Sequence, residues 1–169
     1  MNEQAILIGL SHLGIVFAGL ISVFIIFAAR DGEFPPPERQ HVRGLILTSF
    51  PVVIGSMLPF AFFLYGASDT VVWRGSGTIA FVLGTIMSVE NFLTYLKMSK
   101  SDKKENGYAH AITAFGLNFV AGVMLAMASL GIAAKANYIV ALMVILLIGV
   151  SSFVTFAAHR FLGVKSKKR

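Results

Sequence analysis

Long stretches without charged residues dominate this chain. No Asp, Glu, Lys or Arg lies between Glu3 and Arg30, and none lies between Arg43 and Asp69. A helix of about 20 apolar residues crosses the roughly 30 Å of hydrocarbon in a bilayer. These stretches therefore predict transmembrane helices. They also limit the fold, because lipid-exposed backbone must be either helical or part of a closed barrel.

Composition and length extend this prediction to the whole chain. Of the 169 residues, 56% are hydrophobic and 13% are charged, whereas a soluble domain is about 25% charged. We predict an all-α membrane protein, a single transmembrane domain over residues 1–169 with five helices at 4–29, 44–66, 75–96, 109–134 and 138–162. Residues 97–108 are predicted as a loop. Three prolines at 35–37 predict an extended loop before an amphipathic start to the second helix.

Positive charge is distributed unevenly between the two sides that five spans would create. Twelve of the fourteen Lys and Arg residues fall within 30–43, 97–104 and 160–169, all on one side, and the other side holds Arg74 and Lys135. By the positive-inside rule, the N-terminus is outside and the C-terminus is cytoplasmic. This pattern favours a lipid bilayer as the partner and makes a nucleic-acid partner a poor interpretation.

Glu90 is the one charged residue in the body of any predicted span. A carboxylate in hydrocarbon is costly unless it has a proton, an ion partner or water. It lies about seven residues, or roughly 10 Å, from the cytoplasmic end of its helix. Three interpretations stay open: a hydrogen-bonded acid, a structural ion pair, or a cation or proton site. The candidate partners at that end are Arg39, Arg43, His110, His159 and Arg160.

Other polar and helix-breaking residues add candidates for a site. Asn91, Asn118 and His12 join Glu90 as candidate pore or ion-binding residues, since a buried amide needs a partner. Pro51 and Pro59 lie inside the second predicted helix, where each removes a backbone hydrogen bond. They predict either static kinks or a gate.

Two stripes of small residues predict close helix contacts. One lies on the third helix and one on the fourth: Ser76, Ala80, Gly84 and Ser88; Ala114, Asn118, Gly122 and Ala126. Small residues at four-residue spacing let helices approach closely in a membrane. We expect a homo-oligomer, although packing within one chain explains the stripes equally well.

Motifs of enzymes and cofactor sites are missing from the sequence. There is no nucleophile elbow, phosphate loop, zincin motif or cysteine, and the histidines lie at different depths. We therefore expect neither an enzyme nor a metal or other cofactor. The leading hypothesis is a small oligomeric inner-membrane channel or transport protein for ions or protons. The alternative is a non-transporting scaffold or accessory subunit that binds another membrane protein.

The order of several short features resembles a known group of proteins. These features are GLSHLGIVFAGL in the first helix, Glu38-Arg39 and Arg43 before the second, Leu58-Pro59-Phe60 late in it, and Trp73-Arg74 before the third. They resemble a widespread group of small bacterial five-helix integral membrane proteins, over roughly residues 9–96. The resemblance implies a multi-pass location in the bacterial inner membrane and carries no activity with it.

Overall fold

A computed structural model describes residues 3–29 and 36–161, and the regular structure in them is α-helical. Five of its helices, all except the short α4, are long and apolar enough to span a membrane. This confirms the prediction of an all-helical protein with five helices long and apolar enough to span a membrane. The helices are α1 (Glu3–Ala29), α2 (Pro36–Leu64), α3 (Asp69–Lys97), α4 (Lys100–Asn106), α5 (Tyr108–Ser129) and α6 (Ala134–Phe161).

Three of the long helices begin earlier than the charge pattern predicts. Helix α2 starts at Pro36, α3 at Asp69 and α6 at Ala134. The expectation of an extended path is wrong for Pro36 and Pro37, because proline suits the first helical turn, where its missing N–H has no helical acceptor. Pro35 lies outside the described residues. Charged residues mark where hydrocarbon ends, and a helix can continue beyond that level.

The segment predicted as a loop between the third and fourth spans contains helix α4. The hydroxyl of Ser99 accepts a hydrogen bond from the backbone N–H of Asp102 at 3.1 Å, which caps the start of this helix. Gly107 follows its last residue with a φ of 84°, a conformation that favours glycine. The chain therefore turns there and enters α5.

Helix α2 is central to the bundle. It packs against α1, α3 and α6, while α5 packs against α3 and α6. Small residues permit some of these contacts: a Cβ added to Gly149 of α6 would lie only 2.7 Å from the hydroxyl oxygen of Thr48 on α2. The predicted small-residue stripe on α3 is partly used inside the chain, since Ser76 is fully buried.

Ion pairs define two ends of the bundle. At the first, which we call the Lys135 end, Lys135 Nζ lies 3.5 Å from Glu3 Oε1 and 3.9 Å from Asp69 Oδ1. At the second, the Arg43 end, Arg43 pairs with Glu90. Side chains of α1, α2, α3, α5 and α6 form the apolar core, whose largest members lie toward the Lys135 end. They include Trp73, Val72, Tyr138 and Leu142.

Candidate functional site

A cavity lies in the half of the bundle toward the Arg43 end, between α2, α3, α5 and α6. Its wall mixes apolar side chains with several polar ones, and we call it the polar cavity. Its volume is about 80 Å³, which is room for a few water molecules. Its polar wall includes Gln40, His41, Asn91, His110, Asn118 and Ser152. Two of the residues predicted for a pore, Asn91 and Asn118, are therefore brought together here.

Two histidines from different helices meet in this cavity. His41 of α2 is 5% exposed, and its ring centroid lies 5.1 Å from that of His110 on α5. The hydroxyl oxygen of Thr155 on α6 lies 3.5 Å from His110 Nδ1. A neutral imidazole carries one hydrogen-bond donor and one acceptor, so this pair brings polar groups from α2 and α5 into the cavity.

The amide side chains have defined partners. Gln40 Nε2 donates a 2.8 Å hydrogen bond to Asn91 Oδ1, which ties α2 to α3 beside the cavity. Asn118 Nδ2 donates at 3.0 Å to the carbonyl of Ala114. The partner expected for Asn118 is thus the backbone of its own helix, and its half-buried side chain remains part of the cavity wall.

Glu90 lies outside the cavity. Arg43 Nη2 donates to Glu90 Oε1 at 2.5 Å, and the carboxylate side chain is 64% exposed. Arg43, one of the five predicted partners, therefore makes the contact, and the ion-pair interpretation describes the geometry. Arg39 is exposed and His110 lines the cavity instead.

Three other predicted positions do not contribute to the described cavity. The side chains of His159 and Arg160 fall outside the described ones. His12 is exposed on α1, and it is not part of the cavity wall. The carboxylate and the outlying histidine are thus separated from the amides with which the sequence grouped them.

Each of the two prolines of α2 leaves one backbone carbonyl without its helical hydrogen bond, and the two carbonyls have different surroundings. Proline removes the N–H that would bond to the carbonyl four residues earlier. Pro59 frees the carbonyl of Gly55, which accepts a 2.6 Å hydrogen bond from the buried hydroxyl of Tyr138 on α6. Pro51 frees the carbonyl of Leu47, and both of those residues line the cavity. One interruption is therefore closed by a neighbouring helix, and the other lies at the polar cavity.

Sequence reasoning missed the contribution of Gln40 and His41. Both lie in the short polar segment before the predicted span at 44–66, where no role was predicted for either, and they belong to the second turn of α2. A signal was present: the cavity-lining residues His41, Gly44, Thr48 and Pro51 recur every three or four positions. This spacing places polar and small residues on one helix face, and reading it backwards from Pro51 would have extended the helix.

Comparisons with protein-family models, curated proteins and solved structures find no match to this chain. The resemblance to small bacterial membrane proteins therefore gains no support from them. Within residues 3–29 and 36–161, no group of three or more His, Cys, Asp or Glu side chains is placed to hold a metal ion.

Proposed function

We propose that the protein is a small oligomeric inner-membrane transport protein that moves protons or small monovalent cations, with the polar cavity as its binding site. The observation that supports this most is the buried His41 beside His110 in a cavity otherwise lined by neutral side chains. A carboxylate is not among the described residues of the wall, so the site suits a proton better than a divalent cation. Amide and hydroxyl groups can hold the water that relays it.

Orientation follows from charge. The Arg43 end is joined to the segments that carry most of the Lys and Arg residues, so the positive-inside rule assigns it to the cytoplasm. In this proposal the N-terminus is outside, the C-terminus is cytoplasmic, and the membrane is the inner membrane of a bacterium. The cavity then receives its proton from the cytoplasmic side.

A proton can reach the other side of the membrane only if the packed half of the bundle changes conformation. Tyr138 and Trp73 pack together there, with ring centroids 6.0 Å apart. The interruptions at Pro51 and Pro59 make α2 the helix that bends most easily. In this proposal the hydrogen bond from Tyr138 to Gly55 stabilises the closed conformation of α2 between transport events.

Proton flux into liposomes tests this proposal. The purified chain is reconstituted with a trapped pH indicator, and a potassium gradient with valinomycin supplies the driving potential. Wild-type protein is expected to carry protons, and His41→Gln is expected to lower the flux at least tenfold. His12→Gln is the matched control, because it removes an exposed imidazole outside the cavity, and its flux should equal that of wild type. Absence of wild-type flux, or equal flux in the two variants, would contradict the proposal.

The packed half favours a second candidate function. Because Tyr138, Val72 and Leu142 are almost fully buried in the core, a single closed chain offers no wide path. An accessory subunit that binds another membrane protein needs none. That candidate predicts no flux from the purified chain and a membrane protein that co-purifies in stable proportion. The liposome assay and a pull-down from native membranes therefore separate the two.

A further inference from the structure

A second cavity lies on the outer surface of the bundle, between α3 and α5. It is an apolar groove of about 580 Å³. Phe81, Gly84 and Phe92 form one wall, and Phe115 and Gly122 form the other. We propose that this groove binds one acyl chain of an anionic phospholipid, whose headgroup phosphate is held at the Arg43 end by Lys103.

The length of the groove matches one leaflet. From Phe81 to Phe92 the helix α3 advances 11 residues, which is roughly 16 Å at 1.5 Å per residue. Half of the hydrocarbon thickness is about 15 Å. The groove therefore runs from near the bilayer centre to the polar boundary at the Arg43 end, as one acyl chain of that leaflet does.

Aromatic rings lie at the end of the groove toward the Arg43 end, and positive charge follows them. The ring of Phe115 lies 5.3 Å from Phe92 and 5.4 Å from Tyr95, between centroids. Lys103 Nζ lies 5.5 Å from the centroid of Tyr95 and donates to the carbonyl of Leu96 at 2.8 Å. An ammonium has three donors, so two stay available for a phosphate at this position.

Additional lysines make the same end attractive to an anionic headgroup. Lys97, Lys100 and Lys104 are exposed around α4, and juxtamembrane clusters of this kind attract anionic lipids. Charge complementarity therefore distinguishes the expected lipid from a zwitterionic one.

The shape of the groove suits a chain better than another helix. Phe92 and Phe119 line the groove and remain 44% and 74% exposed. These large side chains obstruct a helix, which is about 10 Å wide, while a single hydrocarbon chain passes between them. Ser88 and Asn118 line both the groove and the polar cavity, so the bound chain would also cover the side of that cavity.

Native mass spectrometry of the full chain tests the proposal. The protein in detergent is mixed with equal amounts of phosphatidylglycerol and phosphatidylcholine that carry the same acyl chains. Wild type is expected to retain one phosphatidylglycerol at least fivefold more often than phosphatidylcholine. Lys103→Gln should remove most of this preference, because it removes the charge at the end of the groove.

Two glycines of α5 offer a matched pair of groove variants. A Cβ added to Gly122 or to Gly116 meets no atom within 4 Å, but only Gly122 lines the groove. Gly122→Leu should reduce lipid retention at least tenfold, and Gly116→Leu should leave it unchanged. Thr85→Leu, on the opposite wall, should act like Gly122→Leu. It gives an independent test if one of the two variants misfolds.

Three results would overturn the proposal. They are equal lipid retention by the Gly122→Leu and Gly116→Leu variants, equal retention of the two lipids by wild type, and a wild-type dimer that Gly122→Leu dissociates without changing lipid retention. The last would assign the groove to a second copy of the chain. None of these results depends on proton flux, so the lipid site can fail while the proposed transport function stands.

Discussion

The bundle has one half toward the Lys135 end and one toward the Arg43 end, and the same helices pack differently in the two. Toward the Lys135 end, α3 and α5 are in close contact: a Cβ on Gly77 would lie 3.0 Å from both Ala128 Cβ and the backbone nitrogen of Ser129. Two turns further along α3, a Cβ on Gly84 would find its nearest neighbour, Leu125 Cδ1, at 4.0 Å. The two helices diverge toward the Arg43 end, and the divergence makes room for both the cavity and the groove.

The chemistry of the two halves follows this spacing. Where the helices touch, the buried side chains are large and mostly apolar, as Val72, Tyr138 and Leu142 are. Where they separate, amides, hydroxyls and imidazoles join apolar side chains in the wall. Buried polar groups need partners or water, and the divergence supplies space for water. Small residues in a membrane helix thus produce tight packing only where the facing helix is close.

The largest expected effect tests the close contact directly. Gly77→Ala should lower the free energy of unfolding by about 1–3 kcal/mol, because the new methyl group lies 3.0 Å from Ala128 Cβ and the Ser129 nitrogen and the helices must shift to admit it. Gly84→Ala is the matched control and should change it by less than about 0.5 kcal/mol, as ordinary van der Waals contact is all it gains. Denaturant titration in detergent micelles measures both values, and equal costs would show that α3 and α5 do not diverge.

Tyr138→Phe should have the next largest effect, about 2 kcal/mol of destabilisation. The substitution leaves the carbonyl of Gly55, which Pro59 has deprived of its helical donor, buried without its hydrogen bond. Tyr65→Phe serves as a control because Tyr65 is 92% exposed.

A double-mutant cycle shows whether the two residues are linked as described. In the Pro59→Ala background the helix can supply its own N–H to Gly55, so Tyr138→Phe should cost less than about 0.5 kcal/mol. The same cost in both backgrounds would mean that the tyrosine acts through packing alone. Thermal unfolding at matched detergent concentration measures each corner of the cycle.

Cysteine accessibility compares the two halves without reference to stability. The natural chain has no cysteine, so each introduced thiol reports alone. Ser88→Cys, at the cavity wall, should react with a small charged methanethiosulfonate at least tenfold faster than Ser76→Cys, which replaces a fully buried side chain. Equal rates would indicate that the cavity is dry. If only reagent added from the cytoplasmic side reacts, the proposed orientation also holds.

Charge-free length and composition were enough to predict five helical spans, because a bilayer tolerates few other structures. They were not enough to predict helix starts, as Pro36 and Asp69 show, since a helix continues past the level where hydrocarbon ends. The cavity was half predicted: Asn91 and Asn118 belong to it, but His41 lay before the predicted span and was given no role. Which polar residues meet depends on helix rotation and divergence, and no local pattern encodes either.

The smallest expected effect concerns Glu90, the charged residue in the body of a predicted span. Its pair with Arg43 has side chains 64% and 34% exposed on the bundle surface, and Arg43 directly precedes the predicted second span. We therefore place the pair at the polar boundary of the membrane, where water reaches it and an ion pair contributes about 0–1 kcal/mol. Glu90→Gln should therefore lower the free energy of unfolding by less than about 1 kcal/mol. Arg43→Gln should cost a similar amount, and the double variant should cost no more than either.

Proton flux in Glu90→Gln should stay within twofold of wild type, because the carboxylate lies outside the cavity. A tenfold loss of flux in Glu90→Gln would show that the carboxylate belongs to the transport path. A loss of more than about 3 kcal/mol in the free energy of unfolding would indicate a charge buried in hydrocarbon, because removing one partner of a buried ion pair has a cost of that size. Either result would shift the functional half of the bundle from the histidines of the cavity to the ion pair beside it.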